Sequence, residues 1–424
     1  MLISTSGNRA PTRAHLPYCV VLSLLVCTLP LRAGAETPAL PALLQLAQTR
    51  SPQLLEQAAN TRAAAADAQQ AKAWSNPALS ITAENLGGPT SGGVSQRQDT
   101  YTLTQVVELG GKRAARIEAE TRKADAAGMR ERHVRVQYAN ELALAYATAE
   151  AMQLRQEVAA AEVIRAQEDL RAAQALVRAG READLRVAQA QASVAAAQAA
   201  AQSASAAAME ALERLSAMAG VSEPFTRIDH PFLASASGAA GRADWAPEQS
   251  PQLASAIAER EVAQAQSRIE EKRWMPDVGV SVGVRKFGWS SENAAVVGVT
   301  LNVPLFDRNQ SGITAAKERA AGAAQRVEAA RLDAMAQHRA AVAQAGAAQR
   351  SLQAAQQSET AATEAYRLAR IGYDAGKTAL VELLATRRAL SEARLLTIDA
   401  QLARVRAIAI LSLAEGRTAF GESQ

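Results

Sequence analysis

The sequence contains two copies of one structural unit, and this duplication restricts the possible folds more than any other feature. The motif SPQL occurs at 51–54 and again at 250–253, 199 residues later. In each copy a helical run ends near a tryptophan and a proline, two short strand-like segments follow, and a long helical run begins. The corresponding landmarks are Trp74, Pro77 and Gly110-Gly111 in the first copy and Trp274, Pro276 and Asp307-Arg308 in the second. We therefore expect a fold with two similar halves.

The first 35 residues predict a secretory signal peptide. Arg9 and Arg13 give a basic start, the segment Leu16–Leu29 is apolar, and small residues follow at Ala33–Ala35. An apolar segment of about 14 residues is too short for a membrane-spanning helix, which needs about 20. We therefore expect the chain to be exported.

Charge and composition exclude several classes of function. The chain has 46 basic and 42 acidic residues, and removing Arg9, Arg13 and Arg32 with the signal peptide leaves 43 against 42. A nearly neutral chain with dispersed charge lacks the basic face that nucleic acids require. Both cysteines, Cys19 and Cys27, leave with the signal peptide, which excludes disulfides and cysteine-based sites. Apolar residues reach 48%, mostly alanine, and aromatic residues only 4%, which favours long, closely packed helices.

Long uninterrupted helices dominate the predicted secondary structure. The segment 112–178 contains no proline, and as one helix it would be about 100 Å long. Helical patterns also cover 40–75, 184–219, 310–373 and 378–414. Apolar residues at 3–4 spacing along the last of these indicate coiled-coil packing. The chain divides into a signal peptide, a first repeat, an equatorial linker, a second repeat and a C-terminal tail, at residues 1–35, 36–219, 220–247, 248–415 and 416–424.

Four short segments are predicted as β-strands, at 78–86, 100–107, 277–287 and 294–303. Apolar residues alternate with polar or small ones along each segment, most regularly from Val278 to Val284. The chain offers no further apolar segment to cover the apolar side of these strands. Alternating strands of this length are typical of outer-membrane barrels.

Trp74 and Trp274 directly precede the strands, where aromatic side chains at the membrane interface would anchor a barrel. Closed barrels need about eight strands or more, so four strands predict that several protomers share one barrel. The alternative is a pair of soluble hairpins with both tryptophans in a core.

These features resemble the TolC-like outer-membrane efflux factors. The resemblance covers essentially the whole exported chain and rests on the twofold repeat, the strand-to-helix junctions and a glycine-containing helical turn in each half. The segments Asn76–Gly88 and Gln105–Arg113 are most similar to the heavy-metal branch, the CzcC-like outer-membrane components of cobalt-zinc-cadmium efflux.

The resemblance implies a mainly α fold with a small β part, in which long α-helical coiled-coil hairpins accompany four strands per protomer in a shared outer-membrane β-barrel. It implies a homotrimer in outer-membrane lipid that extends into the periplasm of a Gram-negative cell. The implied partners are a periplasmic adaptor (membrane fusion protein) and an inner-membrane RND pump. The channel would passively export heavy-metal cations such as cobalt, zinc and cadmium. Copper or silver, or organic drugs, are alternative cargoes, and a soluble periplasmic coiled-coil adaptor is the alternative from another class.

The turn between the last two helices resembles the gating turn of this family. By this resemblance, Tyr373 holds the closed bundle through polar links to a neighbouring helix pair, and Glu382 is an acidic constriction residue. Three such carboxylates facing one another repel unless cations offset them, so a ring of them favours cation passage. The family's second acidic position is Ala385 here, which puts a double acidic ring in doubt. On the alternative reading, Glu382 is a solvated helix residue and Tyr373 only packs.

The first-half turn, at 176–184, is the matching candidate for contact with the adaptor. We expect Arg178, Gly180 and Arg181 to form this contact, together with Gly376 and Lys377 of the second turn. Both glycines are also typical helix C-terminal residues, because glycine readily adopts a left-handed backbone conformation. The two roles are compatible.

Neither an enzyme, a cofactor site nor a resident metal site is predicted. His133, His230 and His338 are far apart in sequence and lack the HExxH spacing of zinc enzymes. Gly110–Lys112 lacks the rest of a phosphate-binding loop. A metal cargo would therefore pass through the channel, and selection among metals would lie with the pump.

Overall fold

The computed structural model describes residues 37–88, 93–236 and 244–420. The predicted signal peptide, with Cys19 and Cys27, lies outside the described residues, as do the last four residues of the predicted tail. Among the described residues, no helix combines the length and the apolar character needed to cross a membrane.

Four helices occupy the first half of the chain: α1 Leu40–Arg50, α2 Pro52–Gln70, α3 Lys112–Arg178 and α4 Asp184–Ala219. The predicted bounds of α3 and α4 are confirmed. The single helix predicted at 40–75 is wrong, because Ser51 adopts an extended conformation (φ −65°, ψ 120°) between α1 and α2. Pro52 then starts α2, since proline lacks the backbone N–H that a helix interior requires.

Three helices follow in the second half: α5 Pro251–Lys272, α6 Gln310–Asp374 and α7 Leu380–Ala414. A short 3-10 turn at Pro247–Gln249 precedes α5. Ser250 has the same extended conformation ahead of Pro251 that Ser51 has ahead of Pro52, so the repeated SPQL motif starts a helix in both halves. Helix α7 begins two residues later than predicted.

The strands form one antiparallel four-stranded sheet in the order β1-β2-β3-β4. The strands are β1 Ala78–Glu84, β2 Gln98–Glu108, β3 Asp277–Phe287 and β4 Asn293–Leu301. The hairpins of the two repeats are joined through β2 and β3, which pair from Gln98↔Phe287 to Glu108↔Asp277. The two repeats therefore share a single sheet, and β1 and β4 are its edges.

The junctions from sheet to long helix require unusual backbone conformations. Gly110 and Gly111 have φ +67° and +79° immediately before α3. A Cβ atom on Gly110 would lie 2.5 Å from Cγ of Met275, so the close approach of the chain also requires glycine there. Before α6 the left-handed residue is Asn309, at φ 55°. Gly111 therefore corresponds to Asn309, whereas the repeat in the sequence pairs Gly111 with Arg308, one residue earlier.

The helices pack in an order that follows the strands. Towards the sheet, α2 packs on α3, α3 on α5, and α5 on α6. Towards the helical turns, α4 packs on α3, α3 on α7, and α7 on α6. Helix α6 is therefore at one edge of this layer, and α2 and α4 are at the other.

The largest apolar cluster lies midway along the helices, where the linker packs against them. Tyr146 and Leu142 of α3 are fully buried there with Leu233 of the linker and Val405 of α7. The Tyr146 hydroxyl donates to the carbonyl oxygen of His230 at 2.9 Å. The described part of the linker, up to residue 236, is thus fixed to the core.

Candidate functional site

One face of the sheet is apolar and uncovered. Side chains that are neighbours in the strand register form this apolar face: Leu79, Ile81, Leu103, Val280, Val282, Val284, Val297 and Val299. All of them are exposed, and Val297 and Val299 are 76% and 71% exposed. Within residues 37–88, 93–236 and 244–420 the helices leave the valine side uncovered, as expected. A continuous apolar surface of this kind needs a cover other than water.

The opposite face of the sheet is polar and lined mainly by small or hydroxyl side chains. The polar face contains Ser80, Thr82, Thr100, Thr102, Thr104, Gly279, Ser281, Gly283 and Thr300. At its end far from the helices, Nε of Arg285 donates to Oγ1 of Thr100 at 3.0 Å. Nη2 of the same arginine lies 4.0 Å from Oε2 of Glu84. This arrangement was not predicted, since it depends on strand register.

Both edges of the sheet have unpaired backbone groups in this protomer. The edge strand β4 has the sequence NAAVVGVTL and contains no charged residue, proline or bulge that would block further pairing. The other edge, β1, has a single charged residue, Glu84 at its end. Edges of this type are suited to pairing with another strand.

The GGKR motif connects the sheet to the helices. Nζ of Lys112 forms an ion pair with Oδ2 of Asp277, the first residue of β3, at 2.8 Å. Arg113 donates to the carbonyl oxygen of Lys72, and Arg116 donates to that of Ala71. These carbonyl groups follow the end of α2, where backbone acceptors lack helical partners. The motif therefore joins α2, α3 and β3 at the base of the sheet.

The two tryptophans lie at the helix–strand junctions, as predicted. Trp74 is 64% exposed and Trp274 is 43% exposed, so neither is a core residue of a soluble hairpin. The guanidinium of Arg113 lies 5.0 Å from the centre of the Trp74 ring. Leu305 and Phe306, between β4 and α6, are also exposed. They were missed, although an apolar pair between a strand and a helix start is a detectable signal.

The two helical turns lie at the same end of the chain's helices. Arg387, near the start of α7, binds Asp169, near the end of α3, with 2.7 Å between Nη1 and Oδ2. In both turns a glycine in the left-handed conformation ends the helix, Gly180 at φ +66° and Gly376 at φ +71°. The residues predicted to contact an adaptor are all exposed: Arg178, Gly180, Arg181, Gly376 and Lys377.

The predicted gating residues flank the second turn. Tyr373 lies in the last turn of α6 and is 36% exposed. Within the described part of the protomer its hydroxyl has no hydrogen-bond partner. Glu382 lies in the first turn of α7 and is exposed. Gly372 packs closely against the Thr378 side chain, which fixes the turn between them. Their gating role stays a prediction, because it depends on neighbouring protomers.

Comparisons with known proteins identify similar chains over nearly the full length. A family model described as outer membrane efflux protein matches residues 43–221 and 244–417. The nickel-cobalt-cadmium resistance protein NccC of Alcaligenes xylosoxydans xylosoxydans is 51% identical over 418 residues, covering 99% of this chain and 95% of NccC. The nickel and cobalt resistance protein CnrC of Cupriavidus metallidurans is 52% identical over 408 residues, covering 96% of this chain and 97% of CnrC.

Two further similarities are more distant. The cobalt-zinc-cadmium resistance protein CzcC of Cupriavidus metallidurans is 28% identical over 348 residues, covering 77% of each chain. Among solved structures, CusC aligns with a TM-score of 0.77 at 18% identity, covering 89% of this chain and 92% of the CusC chain. At that identity the similarity establishes the fold alone, and it confirms the mainly α architecture with a small β part.

Proposed function

The chain belongs to the outer membrane efflux protein family, and on that basis we propose that it is the outer-membrane channel of a tripartite RND-type efflux system for nickel and cobalt cations. It is located in the outer membrane and extends into the periplasm. Its activity is transport in heavy-metal resistance, since the family consists of efflux proteins and NccC and CnrC are heavy-metal resistance proteins. The predicted heavy-metal branch is thereby confirmed.

The uncovered sheet is the observation that carries the channel proposal. Across the described residues the side chains of its apolar face are exposed, and lipid is the solvent in which such a face is stable. Unpaired strand edges cost several kcal/mol per backbone group in lipid, so β1 and β4 require partners there. We propose that three protomers pair head to tail, β4 of one with β1 of the next, and close a barrel with the polar face inside.

The helical edges support the same assembly. Among the described helices, α6 forms one edge of the layer, and α2 and α4, with α1 packed on both, form the other. In a head-to-tail ring these edges meet whenever β4 meets β1. The adaptor and the inner-membrane pump complete the proposed system, and Arg178, Gly180, Arg181, Gly376 and Lys377 at the exposed turns are the proposed adaptor contacts.

Nickel and cobalt are the proposed cargo because both relatives with more than 50% identity are named for them. Cadmium appears in the name of NccC. Zinc appears only in the name of CzcC, at 28% identity. The expectation from sequence named cobalt, zinc and cadmium and omitted nickel, so the proposal changes the order of preference among divalent cations.

Deleting the gene tests the cargo. We expect the deletion strain to become more sensitive to nickel and cobalt, with a smaller effect for zinc and no change for antibiotics. Expressing the intact chain in the same strain should restore metal tolerance. Increased antibiotic sensitivity with unchanged metal tolerance would instead assign the channel to drug efflux.

Substitution of Glu382 tests the proposed gate. We propose that three copies of this carboxylate line the constriction and favour cations, so Glu382→Gln should lower the cation-to-anion permeability ratio in planar bilayers. Glu392→Gln removes the same charge from an exposed position on α7 that is paired with Arg388 at 3.1 Å, and it should leave the ratio unchanged. Equal effects of the two variants would show that Glu382 does not line the constriction.

A further inference from the structure

The polar face of the sheet has few charged side chains, and they lie at its two ends. At the end near the helices, Asp277 pairs with Lys112, and Glu108 pairs with Arg116. Both of these acidic groups are therefore compensated by cations from α3. Between the two ends the strand positions on this face are occupied by small, hydroxyl or aliphatic residues.

Arg285 and Glu84 are the charged residues of this face at the end far from the helices. Hydrogen bonding to Thr100, which is 7% exposed, fixes the Arg285 side chain against β2. Glu84 lies across β2 on the first strand, 4.0 Å from the guanidinium. The two side chains are 37% and 50% exposed, so both charges are in contact with water. At this distance each charge largely offsets the field of the other in the adjacent water.

The remaining charges at this end lie elsewhere. Arg97 pairs at 3.1 Å with Asp99, which lies in β2 in register with Lys286 and therefore on the apolar face. Lys286 is next to Arg285 in sequence but belongs to the apolar face, where its Nζ lies 5.8 Å from the centre of the Tyr101 ring. Glu292 lies in the turn between β3 and β4. The β1–β2 connection has no charged residue other than Arg97.

We propose that Arg285 and Glu84 form a charge-balanced ring at the outer mouth of the channel and set its ion preference. The inference rests on the proposed function, because three copies of the pair face one another only when the polar face lines a pore. Arg285 alone would place three positive charges on the exit path. Glu84 neutralises them and keeps the mouth permeable to divalent cations.

The proposal predicts opposite effects for the two partners. Removing Glu84 leaves three uncompensated arginines, which oppose cations, and the effect is larger for a divalent cation because its charge is double. Removing Arg285 leaves three carboxylates, which favour cations. Rings of charged side chains control selectivity in this way in other pores. We expect each change to alter the cation-to-anion permeability ratio by roughly two- to fivefold, in opposite directions.

Planar bilayer recordings on the purified full-length channel provide the test. Reversal potentials are measured across a KCl gradient and then a NiCl2 gradient for the wild type, Glu84→Gln, Arg285→Gln and Lys286→Gln. The last variant removes the same charge one residue away but from the apolar face, so its permeability ratio should equal that of the wild type. The shifts should shrink at about 1 M salt, where the Debye length is about 3 Å.

The outcomes separate this inference from the proposed function. Absence of conductance steps for the wild type would contradict the channel itself. Conductance steps with unchanged reversal potentials for both Glu84→Gln and Arg285→Gln would overturn the charge-balanced ring and leave the channel intact. A shift for Lys286→Gln as large as that for Arg285→Gln would also overturn it, because selectivity would then not depend on the face.

Discussion

At the scale of single residues, the buried carboxyl group of Glu150 joins the long helix α3 to the linker. Glu150 is only 6% exposed. Oε2 accepts hydrogen bonds from the backbone N–H groups of Phe232 and Leu233, each at 2.8 Å. Burial raises the pKa of this carboxyl group, and the two hydrogen bonds partly oppose the shift.

The raised pKa gives stability a defined pH dependence. The stabilising contribution is fully present below the ordinary pKa of 4.5 and is lost as pH rises through the folded-state pKa. Glu150→Gln keeps an acceptor oxygen and cannot ionise, so its Tm in detergent should rise relative to wild type as pH increases above about 4.5. A Tm difference independent of pH would contradict this. Glu150→Ala leaves both N–H groups unpaired and should lower the free energy of unfolding by about 2 kcal/mol.

Turn residues are predictable from sequence, whereas residues that meet through strand pairing are not. Gly180 and Gly376 end their helices in the left-handed conformation, as expected for glycine after a long helical run. Arg285 and Glu84 meet only because β1, β2 and β3 are neighbours in one register. Nothing in the local sequence indicates that β2 pairs with β3 of the other repeat.

At the scale of elements, α7 is held between α3 and α6 by two different kinds of contact. Along its C-terminal part, apolar side chains such as Val405 and Ile408 are buried in the large cluster. Nearer the turn, Arg387 binds Asp169 at 2.7 Å and Glu162 at 3.3 Å, with its own side chain 15% exposed. The segment close to the exposed turn thus depends on an ionic contact with α3.

Arg387→Gln should loosen this segment of α7. The substitution removes the cation bound to Asp169, whereas Glu162 keeps Arg165 at 3.4 Å. We expect a loss of about 1–3 kcal/mol together with faster amide hydrogen exchange at the start of α7. The neighbouring Arg388 is the matched control, because its side chain is 83% exposed and, among the described residues, pairs with Glu392 alone. Arg388→Gln should cost less than about 0.5 kcal/mol. Equal exchange rates in both variants would refute the role of Arg387.

Element bounds follow from proline and glycine where these residues interrupt a pattern. Helix α3 was predicted to the residue because 112–178 contains no proline and ends before Gly180. The break at Ser51 was missed although Pro52 lies well inside the predicted segment 40–75, where a proline disfavours the helical conformation of the preceding residue. The backbone at this break is also approached closely by Gly220 at the end of α4, where a Cβ atom would lie 2.5 Å from the carbonyl oxygen of Arg50.

At the scale of the whole molecule, the proposed channel assigns one face of the sheet to lipid and the other to the pore. Val297 and Val296 are adjacent in β4 and belong to opposite faces. Val297 pairs with Val282 near the middle of the apolar face, and Val296 pairs with Gly283 on the polar face. The two valines have the same chemistry, so the surroundings alone distinguish them.

Arginine substitutions at these two positions should behave differently. Val297→Arg places a charge in lipid, at a cost of about 2–4 kcal/mol per protomer near the bilayer midplane, and should reduce assembly in the outer membrane. Val296→Arg places it in the proposed pore and should assemble normally. Membrane fractionation with heat-modifiable electrophoretic migration measures both. Comparable loss of assembly in the two variants would argue against the assignment of the faces.

The pairing of β2 with β3 joins the two similar halves of the chain through a contact within one protomer. One half alone would have a hairpin with two free strand edges and a long helix. Twice as many chains of half the length could therefore form the same proposed assembly. Because both halves belong to one chain, the β2–β3 contact is intramolecular, so fewer separate chains must associate. The two halves of one chain also need not have the same sequence. The two turns accordingly differ in sequence: the first carries Arg178 and Arg181, and the second carries Tyr373 and Glu382.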